Sequence, residues 1–278
     1  MVAENKTVQT LVQSTETARP WVLAETPYSV VKETQYDVAV LPMGATEPHN
    51  LHLPYGTDYY EGTLIGEALC REAWAQGAKT LLLPTIPYGT ETNMTTFPLA
   101  MNLNPSTLTT VIRDLVESVE RSGIRKLVIL NSHGGNDFKP VLRELADKTS
   151  VHLFLCNWYT CLGDCYDQIF ECPEDHAGEV ETSLILHFLP HLVAMNSDGT
   201  LQADEGAVRK LRFEALEKKW VAITRPWHLL TTNSGSANPH AATAEKGQKA
   251  MEELCRRLVP FLVELASSEL DELFPFES

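Results

Sequence analysis

The chain is short of positive charge: 22 lysines and arginines stand against 37 aspartates and glutamates, a formal net charge of −15 over 278 residues. A surface of that sign has no chain-wide attraction for a phosphate backbone or an anionic lipid, which sets nucleic acid aside as a partner. No apolar run approaches the roughly 18 to 20 residues of a membrane span, and the opening stretch MVAENKTVQTLVQSTETARP lacks the basic-then-apolar order of a signal peptide. These absences predict a cytoplasmic protein that does not act at a membrane. Cysteine is scarce too, with six in all. Four of them, Cys156, Cys161, Cys165 and Cys172, cluster without a C-x2-C pair, so they read as small reduced residues and not as a disulfide frame or a structural zinc knuckle. There is no linker rich in Gly, Pro or Ser and no internal repeat. The expected organisation is an N-terminal arm over 1–20 followed by one domain over 21–278.

What is present is a recurring alternation. Short apolar runs of the kind buried on both faces occur at YDVAVLPM (36–43), KTLLLP (79–84), RKLVILN (125–131) and VHLFLC (151–156). Between them lie helix-length segments at 57–77 and 105–123, the second opening on Pro and Ser and closing on Gly, and a third helix is expected from NDFKPVLRELADKTS. Strand then helix, repeated, predicts an α/β fold: three layers, α/β/α, around a mostly parallel central sheet. Two connections break the rhythm. PTIPYGTETNMTTFPLAMNLN (84–104) is long enough to be a binding loop, and FECPEDHAGEVET (170–182) brings a histidine among acids.

In open α/β sheets ligands bind beyond the carboxyl ends of the strands. Glu47, His49 and Asp58 follow the first strand, and the NSHGGN turn (131–136) with His133 follows the third, so one site can draw on both. Two divalent ions about 3.5 to 4 Å apart need a carboxylate with two oxygens to share, and Asp58 is a candidate for that bridge. Gly134 and Gly135 allow close approach of the backbone, and Asn136 reads as the N-cap of the next helix or as more than a cap. His52 either stands beside the site or packs under the loop. Trp158, after the fourth strand, is either an aromatic wall for a flat substrate or plain core. His187 and His191 read as ordinary residues, with Pro190 breaking the helix between them.

Three of these stretches together resemble the creatininase family of metal-dependent amidohydrolases. LPMGATEPHNLHLPYGTD (41–58) is similar to the family's first motif, departing from it at Pro48 and Asn50; NSHGGN is similar to the second, and HAGEVETS (176–183) to the third. The resemblance implies a creatininase-like fold and two divalent ions per chain, drawn from Zn, Mn or Fe. It makes Glu47, His49, Asp58 and His133 their ligands, with Asp58 bridging, and puts His176 beside the substrate. It also implies a closed homo-oligomer, by resemblance a hexamer.

The implied chemistry is hydrolysis of a non-peptide C–N bond, a cyclic amide or formamide of a small molecule, by metal-activated water. His176 is the expected general acid, with Asp175 tuning it or capping the following helix. Creatininase proper has a carboxylate two residues after the histidine of its second motif, where this chain has Gly135, so a further ligand is needed. Glu179 and Glu181 point about 200° apart on a helix. Glu179, in the first turn and next to the loop of His176, is the expected ligand, and Glu181 the buttress. Two other readings use the same residues: a dinuclear phosphoesterase, disfavoured because no Lys or Arg lies within 47–58 or 131–136, and a non-catalytic metal-binding or scaffold protein.

Overall fold

The computed structural model describes residues 19–277. The arm expected over 1–20 therefore lies, apart from its last two residues, outside the described residues. Four parallel strands form one sheet in the order β2-β1-β3-β4: β1 (Val38–Met43), β2 (Thr80–Leu82), β3 (Lys126–Asn131) and β4 (His152–Asn157). Each lies inside or within one residue of an apolar run seen in the sequence. Three crossover helices connect them: α1 (Thr57–Ala75), α2 (Pro105–Arg121) and α3 (Lys139–Leu145).

Alternation along β1 divides the core in two, as period-2 geometry requires. Val38 and Val40 face a cluster built with Ile65 and Leu69 of α1, whereas Ala39, Leu41 and Met43 face Leu108, Ile112 and Val116 of α2 and Leu145 of α3. Helices α4 (Glu179–Phe188) and α5 (Ala244–Ser267) join the first face, completing the α/β/α layering expected from the sequence. Their close approach depends on Gly247, where an added Cβ would stand 2.0 Å from the Ser183 carbonyl oxygen. Buried Lys126 donates to the carbonyls of Leu265 and Ser268, both at 2.6 Å, putting a cation at the C-terminus of α5 where the helix dipole favours it.

Pro42 sits in a central strand, where a missing N–H ordinarily breaks the ladder. Its carbonyl accepts from Ile86 N on the side of β2, and β2 has already ended at Leu82, so the absent donor faces no paired strand. That early ending frees the chain to leave the sheet as the 84–104 loop.

The third helix is shorter than the sequence pattern indicates. It covers Lys139–Leu145 with Phe138 at the N-cap, and Asn136 does not cap it. Asn136 accepts from Thr90 N at 3.1 Å and donates to Asn131 Oδ1 at 3.1 Å, fastening the 84–104 loop to the end of β3. At the other end Glu120 draws Ser150 N to 2.6 Å, which takes that segment out of the helix.

Candidate metal centre

Every candidate side chain is delivered by a segment that follows the carboxyl end of a strand or opens a helix. After β1 the chain turns so that His49 and Leu53 bridge, with Asn50 at φ 52°. This left-handed region is open to Gly and, among other residues, favours Asn, so the departure from the family pattern at Asn50 keeps the turn. Its N–H donates to Ser234 Oγ at 2.9 Å and its side-chain amide to the Asp204 carbonyl at 3.1 Å. Asp58 is the second residue of α1, where the exposed amides of a helix start favour a carboxylate.

Glu47, His49, Asp58 and His133 converge, all of them buried. Asp58 presents one oxygen to each of two imidazoles: Oδ1 is 2.9 Å from His49 Nε2 and Oδ2 is 3.0 Å from His133 Nδ1. Glu47 Oε1 lies 3.1 Å from His133 Nδ1 and 3.6 Å from His176 Nδ1. Both oxygens of Glu47 and Asp58 Oδ2 are buried without a hydrogen bond. Unbonded buried carboxylate oxygens are costly unless a cation faces them, and with imidazole donors alongside, this set fits divalent metal ions. Three triplets bring one donor atom each within 4.8 Å of one another: Glu47 with His49 and His176, Glu47 with Asp58 and His133, and His49 with Asp58 and Glu181.

Glu179 is not brought to this cluster. It is fully buried on the other side of α4, where it pairs with Lys246 and accepts from the amides of Glu171 and Cys172 at 2.8 and 2.7 Å. The helix begins at Glu179 as expected, so the rotation between the two acids holds; the turn of the helix is set by Lys246 on α5, which nothing local in the sequence reveals. Glu181 takes the inward position instead. Its Oε2 accepts from Ala177 N at 2.6 Å and stands 3.9 Å from His49 Nε2.

Asp175 does not tune His176. Its carboxylate accepts from Ser236 Oγ at 2.8 Å and faces Arg225 at 3.9 Å, at the mouth of the site. Nor does it cap α4: Glu174 does, accepting from Gly178 N at 2.9 Å and Val180 N at 2.7 Å. The partner of His176 Nε2 is the carbonyl of Pro48, at 2.9 Å. A carbonyl is available from any residue, so the second departure from the family pattern leaves this contact intact. Trp227 closes against the same ring edge-on, centroids 5.8 Å apart.

His52 bonds Thr182 Oγ1 at 2.8 Å, tying the first motif to the third, and makes no hydrogen bond to Asp58. Trp158 is buried, donating to Ser132 Oγ at 2.8 Å, and it also lines a cavity of about 400 Å³ shared with Tyr159, Tyr166 and Glu181. A second cavity, of about 180 Å³, is lined by Glu47, Asp58, His133 and His176 together with Met94 and Arg225. Glu181, Gly134 and Asp175 line both, so the two are neighbours. The four clustered cysteines are free thiols, and none belongs to a metal-ligating group among the described residues.

Two buried acids went unnoticed in the sequence. Glu61 lies one turn beyond Asp58 on α1, a spacing of three that puts both on one helix face, and this was the readable signal. Glu91 comes from the 84–104 loop, where no periodicity marks it. Its Oε1 is 2.7 Å from His133 Nε2.

Burial and charge divide the titrating groups. Burial holds Glu47 and Glu61 well above the usual carboxylate range, Glu61 with added repulsion from Glu181 and Asp58. Burial also pushes Glu174 up to about 8 and Glu181 to about 7. In Asp58 burial is overcome by His49 and His133, which hold it below its ordinary value. Burial would lower His49 and His133, but the facing carboxylates reverse this and raise both. His176, buried beside positively charged His49, falls to about 3.

A profile of the creatininase family, described as creatinine amidohydrolase, matches residues 25–262. The mycofactocin precursor peptide peptidase of Mycobacterium ulcerans (strain Agy99) is 27% identical over 225 residues, which span 77% of this chain and 80% of the relative. Creatinine amidohydrolase of Pseudomonas putida is 29% identical over 181 residues, 57% of this chain and 67% of the relative. A crystal structure from Bacteroides fragilis NCTC 9343, assigned as a creatinine amidohydrolase, superposes with a TM-score of 0.81 at 33% identity, over 92% of this chain and 100% of the other. A creatininase variant of zinc–zinc type shares the fold, with a TM-score of 0.68 at 23% identity over 90% of this chain and 100% of the other. With the three motifs assembled at one sheet edge and the profile spanning nearly all of the described chain, the protein belongs to the creatininase family, hydrolases that act on amide C–N bonds.

Proposed function

We propose that the protein hydrolyses the C–N bond of a small-molecule amide, cyclic amide or formamide, using two divalent ions drawn from Zn, Mn or Fe. The observation that carries this reading is Asp58, whose two oxygens face two different imidazoles at 2.9 and 3.0 Å. Glu47, Asp58 and His133 would hold one ion; His49, Asp58 and Glu181 would hold the other. Bound there, such a pair supplies a water of lowered pKa and polarises a carbonyl.

The chain's own contribution is proton handling. With Nε2–H of His176 donating to the Pro48 carbonyl, Nδ1 carries its lone pair into the cavity. A proton accepted at Nδ1 from the attacking water is readily released, because burial disfavours the charged ring, and it passes to the leaving nitrogen. Met94 and Trp227 give the cavity part of its apolar lining.

The relatives support a C–N bond without choosing a substrate: one is named for a precursor peptide, another for creatinine. The phosphoesterase reading gains one cation, Arg225, which sequence spacing did not place near the motifs, but Glu47, Asp58, Glu181 and Asp175 line the same cavity. Four acids against one guanidinium disfavour a phosphate ester. No helix among the described residues is long and apolar enough to cross a membrane, which accords with a cytoplasmic enzyme. A homo-oligomer, a hexamer by family resemblance, completes the proposal; a monomer mass by light scattering at micromolar concentration would refute that part.

The test is a panel of cyclic amides, formamides and short peptides run beside p-nitrophenyl phosphate, with the protein reconstituted in Mn or Zn. Turnover of a non-peptide amide is expected. Turnover confined to the phosphate ester, or less than half an ion bound per chain, would reject the reading.

A further inference from the structure

Gly135 leaves no empty place for a missing ligand. A Cβ built there would stand 2.2 Å from His133 Nε2 and 2.5 Å from the Thr90 carbonyl oxygen, so the ring and the 84–104 loop already occupy the space a side chain at 135 would need. The same loop brings in a carboxylate of its own. Glu91 is fully buried, and neither of its oxygens makes a hydrogen bond. The Thr90 carbonyl takes the His133 Nε2–H at 3.2 Å, and Glu91 Oε1 stands closer to the same nitrogen, at 2.7 Å. On the opposite edge of the ring, Nδ1 faces Glu47 and Asp58.

We propose that Glu91 is a positioning residue for the metal centre: its carboxylate, with the Thr90 carbonyl, keeps the proton of His133 on Nε2 and so holds the Nδ1 lone pair toward the ion of Glu47 and Asp58. An imidazole that binds metal through one nitrogen needs its other N–H fixed, and a carboxylate in that place makes the ring both better oriented and more basic. A buried carboxylate is costly unless positive charge stands beside it, and the ring, polarised by a metal at Nδ1, offers it. The placement is fixed by the backbone: Thr90 N donates to Asn136 Oδ1 at 3.1 Å and Glu91 N to Asn102 Oδ1 at 2.8 Å, so the loop cannot drift without breaking two bonds. Thus the carboxylate comes from a different segment than in creatininase proper and acts through His133.

This inference rests on the metal-centre reading, and the experiment separates the two. Apoprotein of the wild type, Glu91→Ala and Glu91→Gln is titrated with Zn(II) against a competing chelator, and the His133 Nε2–H proton is followed by 15N-edited NMR in the ion-free and zinc-loaded forms. Glu91→Ala should weaken one of the two ions about 10- to 100-fold and shift or broaden away the His133 Nε2–H signal. Glu91→Gln, isosteric and still offering an oxygen, should fall between the alanine variant and the wild type; it also carries the test should the alanine variant fail to fold. Zinc affinity unchanged in both variants, or an unmoved Nε2–H signal alongside lost zinc, would overturn the proposal, the second outcome making Glu91 a ligand itself. If the wild type binds no zinc, the metal-centre reading fails, and the signal in the ion-free protein still decides whether Glu91 holds the His133 proton.

Discussion

His176 Nε2 donates to the carbonyl oxygen of Pro48 at 2.9 Å, and this contact turns Nδ1 toward Glu47 Oε1, 3.6 Å away. His176→Ala should therefore lower kcat by about 10²- to 10⁴-fold, the usual worth of a positioned proton donor, while two ions per chain remain. Elemental analysis beside turnover checks it. Loss of an ion in step with activity would make His176 a ligand instead.

Glu181 and Glu179 should separate cleanly. Glu181→Gln is expected to release one of two ions, because its carboxylate lies with His49 and Asp58 in a group that could hold a metal ion. Glu179→Gln should keep both ions and lower stability by about 1–3 kcal/mol, the cost of leaving buried groups poorly paired, since it removes the buried charge facing Lys246. Metal content and denaturant midpoints of the two variants decide between these outcomes.

His52 should make the ion-free protein sensitive to mild acid. Burial holds its folded-state pKa at about 4, against 6.5 ordinarily, so below 6.5 the unfolded chain takes up a proton that the folded one refuses. Stability then falls as pH drops from about 6.5 to about 4, by up to roughly 3 kcal/mol from this one residue. His52→Gln, which cannot be protonated, should show a shallower loss over that window in thermal melts with chelator present. Parallel slopes would mean that His52 is not the group responsible.

Removing the metal should lower thermal stability in a concentration-dependent way. Ion at 100 times its dissociation constant stabilises the folded state by about 2.7 kcal/mol. Melting with and without chelator, across a range of Zn or Mn, should reproduce that logarithmic dependence. A melting temperature indifferent to metal would contradict the assignment of the buried carboxylates.

The tether at Asn136 has a consequence for the site. Asn136→Ala removes the acceptor of Thr90 N and the donor to Asn131. A loss of about 1–3 kcal/mol is expected from the unpaired groups, together with weaker zinc binding as the 84–104 loop loosens. Isothermal titration of the variant measures the second effect.

The strands, their parallel order of use and the convergence of Glu47, His49, Asp58 and His133 were legible without coordinates. Apolar runs buried on both faces admit little but a covered parallel sheet, and in such a sheet the segments after β1 and β3 must meet. Asn50 was marked only as a departure from the family pattern; its positive φ explains why asparagine can stand there. What local sequence does not contain is the rotation of a helix about its axis and the path of an irregular loop. Lys246, 67 residues beyond Glu179, turns that acid away and so leaves Glu181 on the side of His49 and Asp58. Arg225, Trp227 and Glu91 reach the site from segments without period, and Asn136, for which local pattern left a helix cap or something more open, spends its side chain on the 84–104 loop. Those placements depend on contacts between distant residues, whose energies enter only when the whole chain is packed.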